Sequence, residues 1–428
     1  MVIASIDIQD MKAVQLKQGT ERVLERDDPI ELATDFDQYG EIAVIDLDAA
    51  MGKWNNEELI APILRQAECR VGGGIKTVEQ AHKWVSLGAK KIIVGSKAFR
   101  NSDNQEDFQL NAEFLEALAR KIGRERLIAA VDARNGEILV DGWKTPTGLS
   151  LIETAKAAEP FVSELLFTCV EREGTMTGID LDQVKTLREA VSCAVTVAGG
   201  VSTLAEIESI AALGCNVQLG MALYTGKISL AEGFIKSLNW KKGQIFNNKP
   251  LLPVIAQSED GQVLMTGFTD SEALAETFKR GNLCFYSRTR NTLWMKGETS
   301  GNTLKLRRIR SDCDHDAILA TVESPGPVCH TGAYSCFNLD RRYTLEFLQA
   351  IITDRLRNPT PGSYTAALDD ELVRRKVMEE AYEVCTAKAR NEIIWEAADL
   401  LFFTTALITK AGITVREVFD ELDRRHKK

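Results

Sequence analysis

VGGGIKT (residues 71–77) recurs as VAGGVST (197–203), the same motif written twice at an offset of 126 residues. Two other pairs keep nearly the same offset: IASID recurs as AAVDA, bringing Asp7 onto Asp132, and IVGSKAF as QLGMALY, bringing Gly95 onto Gly220, each 125 residues on. Chance similarity would not hold one offset across three motifs, so residues 1–238 read as two half-barrels of four strands each. Working outward, eight β-rich runs (VIASIDI, EIAVIDLD, CRVGGGI, KKIIVGS, RLIAAVDA, ELLFTCV, AVTVAGGV and NVQLGMAL) alternate with helical or loop segments. That alternation predicts a parallel (β/α)8 TIM barrel rather than an open doubly wound sheet.

Beyond the barrel, KKGQIFNNKP around residues 240–250 is polar and turn-rich and reads as a linker. Residues 250–338 carry strand-like runs separated by turns and are expected to form a mostly β, α+β domain. From residue 343 to 428 the apolar periodicity is helical throughout, which predicts an all-α module. A chain of 428 residues with 27% charged and 44% hydrophobic residues has the composition of folded globular domains. Its net charge of −10 provides no basic field for nucleic acid. Nine cysteines at uneven spacing suggest reduced thiols, and the start has no basic region leading into an apolar stretch, so no membrane association and a cytoplasmic location are expected.

Asp7 and Asp132 fall late in matching strands, at the rim where barrel enzymes place their chemistry. Facing each other across the mouth they can serve as base and acid; each can also simply cap a following turn. Gly73 and Gly74 with Gly95 and Ser96, and Gly199 and Gly200 with Gly220, occupy matching positions where backbone N–H groups can approach a phosphate. Two symmetric anion sites imply a ligand with a phosphate at each end.

Residues 1–238 resemble the histidine-biosynthesis barrels, and among them phosphoribosylformimino-aminoimidazole carboxamide ribotide isomerase, through IDIQDMKAVQLKQG, VDARNGEILVDGW with Trp143, and FTCVEREGTMTGID. The resemblance implies a metal-free Amadori rearrangement of an imidazole carboxamide ribotide, with Asp7 as base, Asp132 as acid and Thr168 near the sugar. Three positions depart from the family pattern: Glu173 stands for the usual Asp, Gln15 for an Arg, and Met221 for an Arg or Lys. They leave a noncatalytic binding or scaffolding barrel as the alternative.

The middle block carries Asp312-Cys313-Asp314-His315-Asp316, then Cys329-His330 and Cys336. Thiolates select zinc, and three protein ligands leave a position open for water. Asp312, Asp314 and Asp316 alternate, which on an extended strand puts them on one side as hard ligands for Mg²⁺. The block resembles phosphoribosyl-AMP cyclohydrolase through SRTRNTLWMKGETSGN, DCDHD and GPVCHTGAYSCF. That resemblance implies zinc on Cys313, Cys329 and Cys336, with the thiolates drawn from both subunits of a homodimer. It further implies His330 as a proton shuttle, and Arg288, Trp294, Lys296, Glu298 and Ser300 at a phosphoribosylated nucleotide.

In the helical module, Glu379, Glu380 and Glu383 share overlapping faces of one helix, and Glu396 and Asp399 share a face of the next. Converging carboxylates of this kind hold Mg²⁺ carrying a pyrophosphate; a solvated acidic face shows the same spacing. Val377, Val384, Leu400 and Leu401 beside them are expected in the core. The module resembles phosphoribosyl-ATP pyrophosphohydrolase through NPTPGSYTAAL, KVMEEAYEV and NEIIWEAADLLFF. This implies hydrolysis of an ATP-derived substrate, with Lys376, Arg374 and Arg375 as phosphate contacts.

Overall fold

The computed structural model describes residues 1–101, 107–360 and 362–426. They divide into two compact units, Met1–Asn338 and Leu339–Lys428.

In the first unit eight parallel strands close on themselves: Val2–Gln9, Ile42–Asp46, Cys69–Gly72, Lys91–Val94, Leu127–Ala130, Glu164–Thr168, Ala194–Ala198 and Asn216–Leu219, with the last pairing the first. This is a TIM-type barrel. Ile93, Ile128, Ala130, Leu166 and Ala198 fill its interior, and a larger apolar layer lies between strands and helices. The halves repeat in local detail: Thr77 caps Val78–Ser86 with Gln80 reaching back, and Thr203 caps Leu204–Ala212 with Glu206 in the same role.

The N-terminal end of the barrel is plugged by charge. Arg70 and Glu164, both fully buried, pair with each other, and Lys91 Nζ reaches Glu164 at 2.7 Å. Burial alone would raise Glu164, but the Arg70 and Lys91 charges outweigh it and hold the carboxyl at about 2.

The repeated glycines are also required by packing. Gly73 (φ 95°) and Gly199 (φ 93°) have left-handed backbones, and a Cβ would meet Asp46 O at 2.1 Å or Cys169 O at 2.6 Å. At both places the loop after one strand crosses against the end of its neighbour.

The expected linker has more structure than its composition suggests. Gln244–Phe246 pairs antiparallel with Lys249–Ser258 across Asn247 and Asn248, whose positive φ angles of 46° and 62° fit a two-residue hairpin turn. The β domain then adds Val263–Thr269, Lys305–Ser311 and Ile318–Glu323 to that sheet, a separate hairpin of Cys284–Ser287 and Thr292–Met295, and the helix Ser271–Arg280.

This domain shares a core with the barrel's last helix, Leu230–Ser237, through Phe234 and the following Leu238. Polar contacts reinforce the seam: Ile309 N–H donates to Gln38 O at 2.8 Å, and Arg308 and Arg310 both pair with buried Asp37 and with Glu68. Gln38 lies four residues before the strand Ile42–Asp46 and Glu68 immediately before Cys69–Gly72, so the β domain sits on the face opposite the rim.

The second unit is helical: Leu345–Arg357, Tyr364–Ala367, Asp370–Thr386, Arg390–Lys410 and Val415–His426. Its core gathers Leu348, Ile352, Leu368, Val373, Phe403 and Ala406. Leu401, expected in that core, is 49% exposed, because Phe403 and Ala406 present the packed side of its helix. Among the described residues no helix is long and apolar enough to cross a membrane.

Candidate active sites

At the C-terminal rim the barrel opens into a cavity of about 600 Å³, lined among others by Asp7, Asp132, Thr168, Gly73, Gly74, Gly95, Ser96, Gly199, Gly200 and Gly220. All ten barrel residues singled out from sequence therefore face one space. Asp7 accepts a hydrogen bond from Ser5 Oγ at 2.9 Å, and burial pushes it up to about 6. Asp132 accepts from Trp143 Nε1 at 2.9 Å; burial raises it too, against the hydrogen bonds from Thr168 and Trp143. Trp143 has a φ of 66°, rare for an aromatic residue, in a run with Asp141 and Gly142 that also have positive φ. That turn brings the indole over the rim.

A third carboxyl joins them. Glu173 lines the same cavity and is pushed up to about 8, first by burial and then by the charges of Asp7 and Asp132. Sequence reasoning registered Glu173 only as a departure from a pattern. Its place beside the two rim acids depends on the loop after Glu164–Thr168 folding back to meet the turn that follows the strand Lys12–Lys17, where Gln18 N–H donates to Glu173 O at 3.1 Å.

In the β domain, Asp312, Asp314 and Asp316 place carboxylate oxygens within 4.8 Å of one another. They do so from a tight turn between Lys305–Ser311 and Ile318–Glu323, and not from an extended strand as their alternation suggests. Asp312 Oδ1 ties the turn by accepting from the N–H groups of Asp316 and Ala317, at 3.0 and 3.1 Å. His315, at φ 61°, points back: its ring meets Ser311 Oγ at 2.8 Å and its carbonyl accepts from Asn239 N–H at 2.8 Å. Burial lowers His315 to about 4, so the ring is neutral.

Cys329 and Cys336 are neighbours. Thr331 Oγ1 donates to Cys329 Sγ at 3.1 Å and holds that thiol below its ordinary value; burial, with Cys329 alongside, raises Cys336. Lys296 lies within electrostatic reach of both, and His330 Nδ1 is 3.8 Å from Cys329 Sγ. Cys313 is exposed and does not complete a three-ligand cluster with them inside one chain.

Of the other candidates, the Arg288 guanidinium lies over Phe268 at 3.9 Å, and Trp294 packs on Phe285 with ring centroids 5.8 Å apart. Glu298 accepts from Met295 N–H at 3.4 Å, and Ser300 Oγ from Asn302 N–H at 3.4 Å. The last two hold the loop after Thr292–Met295.

In the helical unit, Glu380, Glu383 and Glu396 bring carboxylate oxygens within 4.8 Å of one another across two packed helices. Burial and then Glu383, Glu380 and Asp399 raise Glu396, the signature of acids crowded together. Glu379 stands outside the trio and pairs with Lys376 Nζ at 2.9 Å, while the same Nζ is 3.3 Å from Glu380. Arg374 and Arg375 are exposed on the same helix.

Fold and sites thus define a multidomain enzyme architecture: a barrel with a cavity at its rim, a β domain with thiols and an acid turn, and a helical carboxylate cluster. A family profile described as "Histidine biosynthesis protein" matches residues 1–229, one described as "Phosphoribosyl-AMP cyclohydrolase" residues 265–338, and one described as "Phosphoribosyl-ATP pyrophosphohydrolase" residues 345–426. The chain belongs to the histidine biosynthesis protein family and carries these three modules in that order. Its C-terminal part is 40% identical over 211 residues to the "Histidine biosynthesis bifunctional protein HisIE" of Pyrococcus furiosus, covering 46% of this chain and 99% of that protein. The namesake of Bacillus subtilis is 39% identical over 196 residues, 42% of this chain and 94% of that protein. Over 239 residues the chain is 36% identical to a Methanocaldococcus jannaschii imidazole-4-carboxamide isomerase whose name specifies two phosphoribosyl groups, covering 54% of this chain and 97% of that protein.

Proposed function

We propose that the chain performs three consecutive steps of histidine biosynthesis: the helical unit hydrolyses phosphoribosyl-ATP to phosphoribosyl-AMP and pyrophosphate, the β domain opens the adenine ring hydrolytically, and the barrel isomerises the resulting aminoaldose to the ketose. The observation that carries the barrel step is the meeting of Asp7, Asp132 and Glu173 around one cavity. Asp7, at about 6, is ionised at neutral pH and takes the proton; Asp132, steadied by Trp143, donates one; Glu173, at about 8, keeps its own and adds no charge.

The donor sets fit metal ions. Cys329 with its lowered thiol and neighbouring Cys336 suit zinc, and exposed Cys313 would complete the set from the second copy of a homodimer. The Asp312, Asp314 and Asp316 turn and the Glu380, Glu383 and Glu396 trio are oxygen sets suited to Mg²⁺, with Asp399 adjoining the latter. Zinc would supply acidified water for the ring, and magnesium would neutralise phosphate charge. The chain's own part is to orient: His330 stands beside Cys329 to move a proton, and Lys376 beside Glu380 to meet a phosphate oxygen.

Purified protein supplied with the aminoaldose should form ketose, and Asp7→Asn should abolish it. No turnover by the unmodified protein leaves the barrel as a binding domain; turnover surviving Asp7→Asn removes the assignment of the base. Ring opening should cease under a strong chelator and return with Zn²⁺, and full rate in zinc-free protein contradicts the thiol site.

A further inference from the structure

The two half-barrels repeat in backbone, yet the two ends of their shared cavity differ in charge and in room. Every Lys or Arg lining the cavity among the described residues comes from the first half: Lys76, Lys97 and Arg100. Asp141 lies there too, its N–H donating to Ser96 Oγ at 2.8 Å, and leaves that end net cationic. At the corresponding second end stands Met221, only 6% exposed. Room follows the same division. A Cβ built on Gly95 meets nothing within 4 Å, whereas one on Gly220 meets Gln15 Oε1 at 2.7 Å. Gln15 is 2% exposed and lines the cavity, its amide within hydrogen-bonding reach of the Tyr224 hydroxyl. An amide NH₂ carries two N–H donors, so one remains for an acceptor that a ligand supplies.

We propose that the cavity is electrostatically one-ended: the end built from Gly73, Gly74, Gly95 and Ser96 takes a phosphate dianion, while the end built from Gly199, Gly200 and Gly220 is neutral and holds the ligand's other arm through uncharged donors, the Gln15 amide first among them. This rests on the reading of the barrel as a site for phosphorylated ligands. A phosphate at the first end makes charge-assisted hydrogen bonds, roughly twice as strong as neutral ones, so that end sets affinity. The second arm sets register and chooses between ligands by shape.

Titration calorimetry on the full chain carrying Asp7→Asn, which prevents turnover, tests this with two probes: ribose 5-phosphate and the bis-phosphorylated imidazole carboxamide. Ribose 5-phosphate should bind the barrel at a single site, and Lys97→Ala should weaken it by about tenfold. Met221→Lys should tighten the bis-phosphorylated ligand by about tenfold, and Gln15→Arg, on the same end, should do likewise; both should leave the first ribose 5-phosphate site within about twofold. Two equivalent ribose 5-phosphate sites before either substitution, both displaced by the bis-phosphorylated ligand and so both in the barrel, overturn the proposal without needing the buried variants to fold. So does a single site indifferent to Lys97→Ala. Binding of neither probe overturns the reading of the barrel as a phosphate-ligand site, and the proposal falls with it.

Discussion

Glu173 and Asp7 are carboxyls whose protons the fold holds more tightly than the unfolded chain does. Glu173 moves from 4.5 to about 8 and Asp7 from 3.8 to about 6. A carboxyl with a raised folded value contributes its stability fully below the unfolded value and loses it as pH rises through the folded one. Thermal stability of the barrel should therefore decline between pH 5 and 8, and Glu173→Gln, which keeps a donor and cannot ionise, should raise the melting temperature at pH 8 by about 2 °C or more while changing it little at pH 5. A scan at the two pH values checks this; equal shifts at both remove Glu173 as the titrating group. At Cys329 the controlling contact is one hydroxyl, Thr331 Oγ1. Thr331→Val should raise the thiol and slow its alkylation at pH 7 by about threefold to tenfold, which iodoacetamide kinetics across pH will read.

At the scale of elements, paired helices and a tight turn do what no single residue does. Asp370–Thr386 and Arg390–Lys410 bring Glu380, Glu383 and Glu396 together, and leave Glu379 turned to Lys376. Glu380→Gln should abolish pyrophosphate release and weaken Mn²⁺ binding to the helical unit by about tenfold or more, while ring opening persists. Glu379→Gln should change either by less than about threefold, the value of a surface ion pair. Equal losses in both variants, measured by pyrophosphate assay and Mn²⁺ titration, contradict that division. Helical periodicity in the sequence identified both faces, since i, i+3 and i+4 positions are neighbours on any helix. It could not say which of adjacent Glu379 and Glu380 faces the partner helix, because their directions differ by about 100° and only packing fixes the rotation.

Over the whole first unit, barrel and β domain are joined by a common apolar core and by two arginines on one buried acid. Phe278 of the β domain meets Tyr39 and Phe234 of the barrel at centroid distances of 5.2 and 5.9 Å. Arg310→Ala would leave Asp37 with Arg308 alone in a mostly buried seam, and should cost about 2–4 kcal/mol in urea unfolding of the full chain. The unit should still melt in one transition; separate barrel and β-domain transitions contradict the shared core. With the β domain against the face opposite the rim, and Arg70, Glu164 and Lys91 plugging the barrel floor, the rim cavity opens on the side away from the β domain.

The sequence by itself determined the eight strands, their twofold repeat and the rim acids, because strand periodicity and glycine demands are local and were written twice. It also supplied the thiols and the two acid runs. Only the tertiary structure decided that Glu173 joins Asp7 and Asp132, that Gln15 covers Gly220, that the Asp312 run is a turn, and that Cys313 stands apart from Cys329 and Cys336. Those are meetings of residues distant along the chain, and their distances, burial and proton affinities exist only once the intervening segments have closed around them.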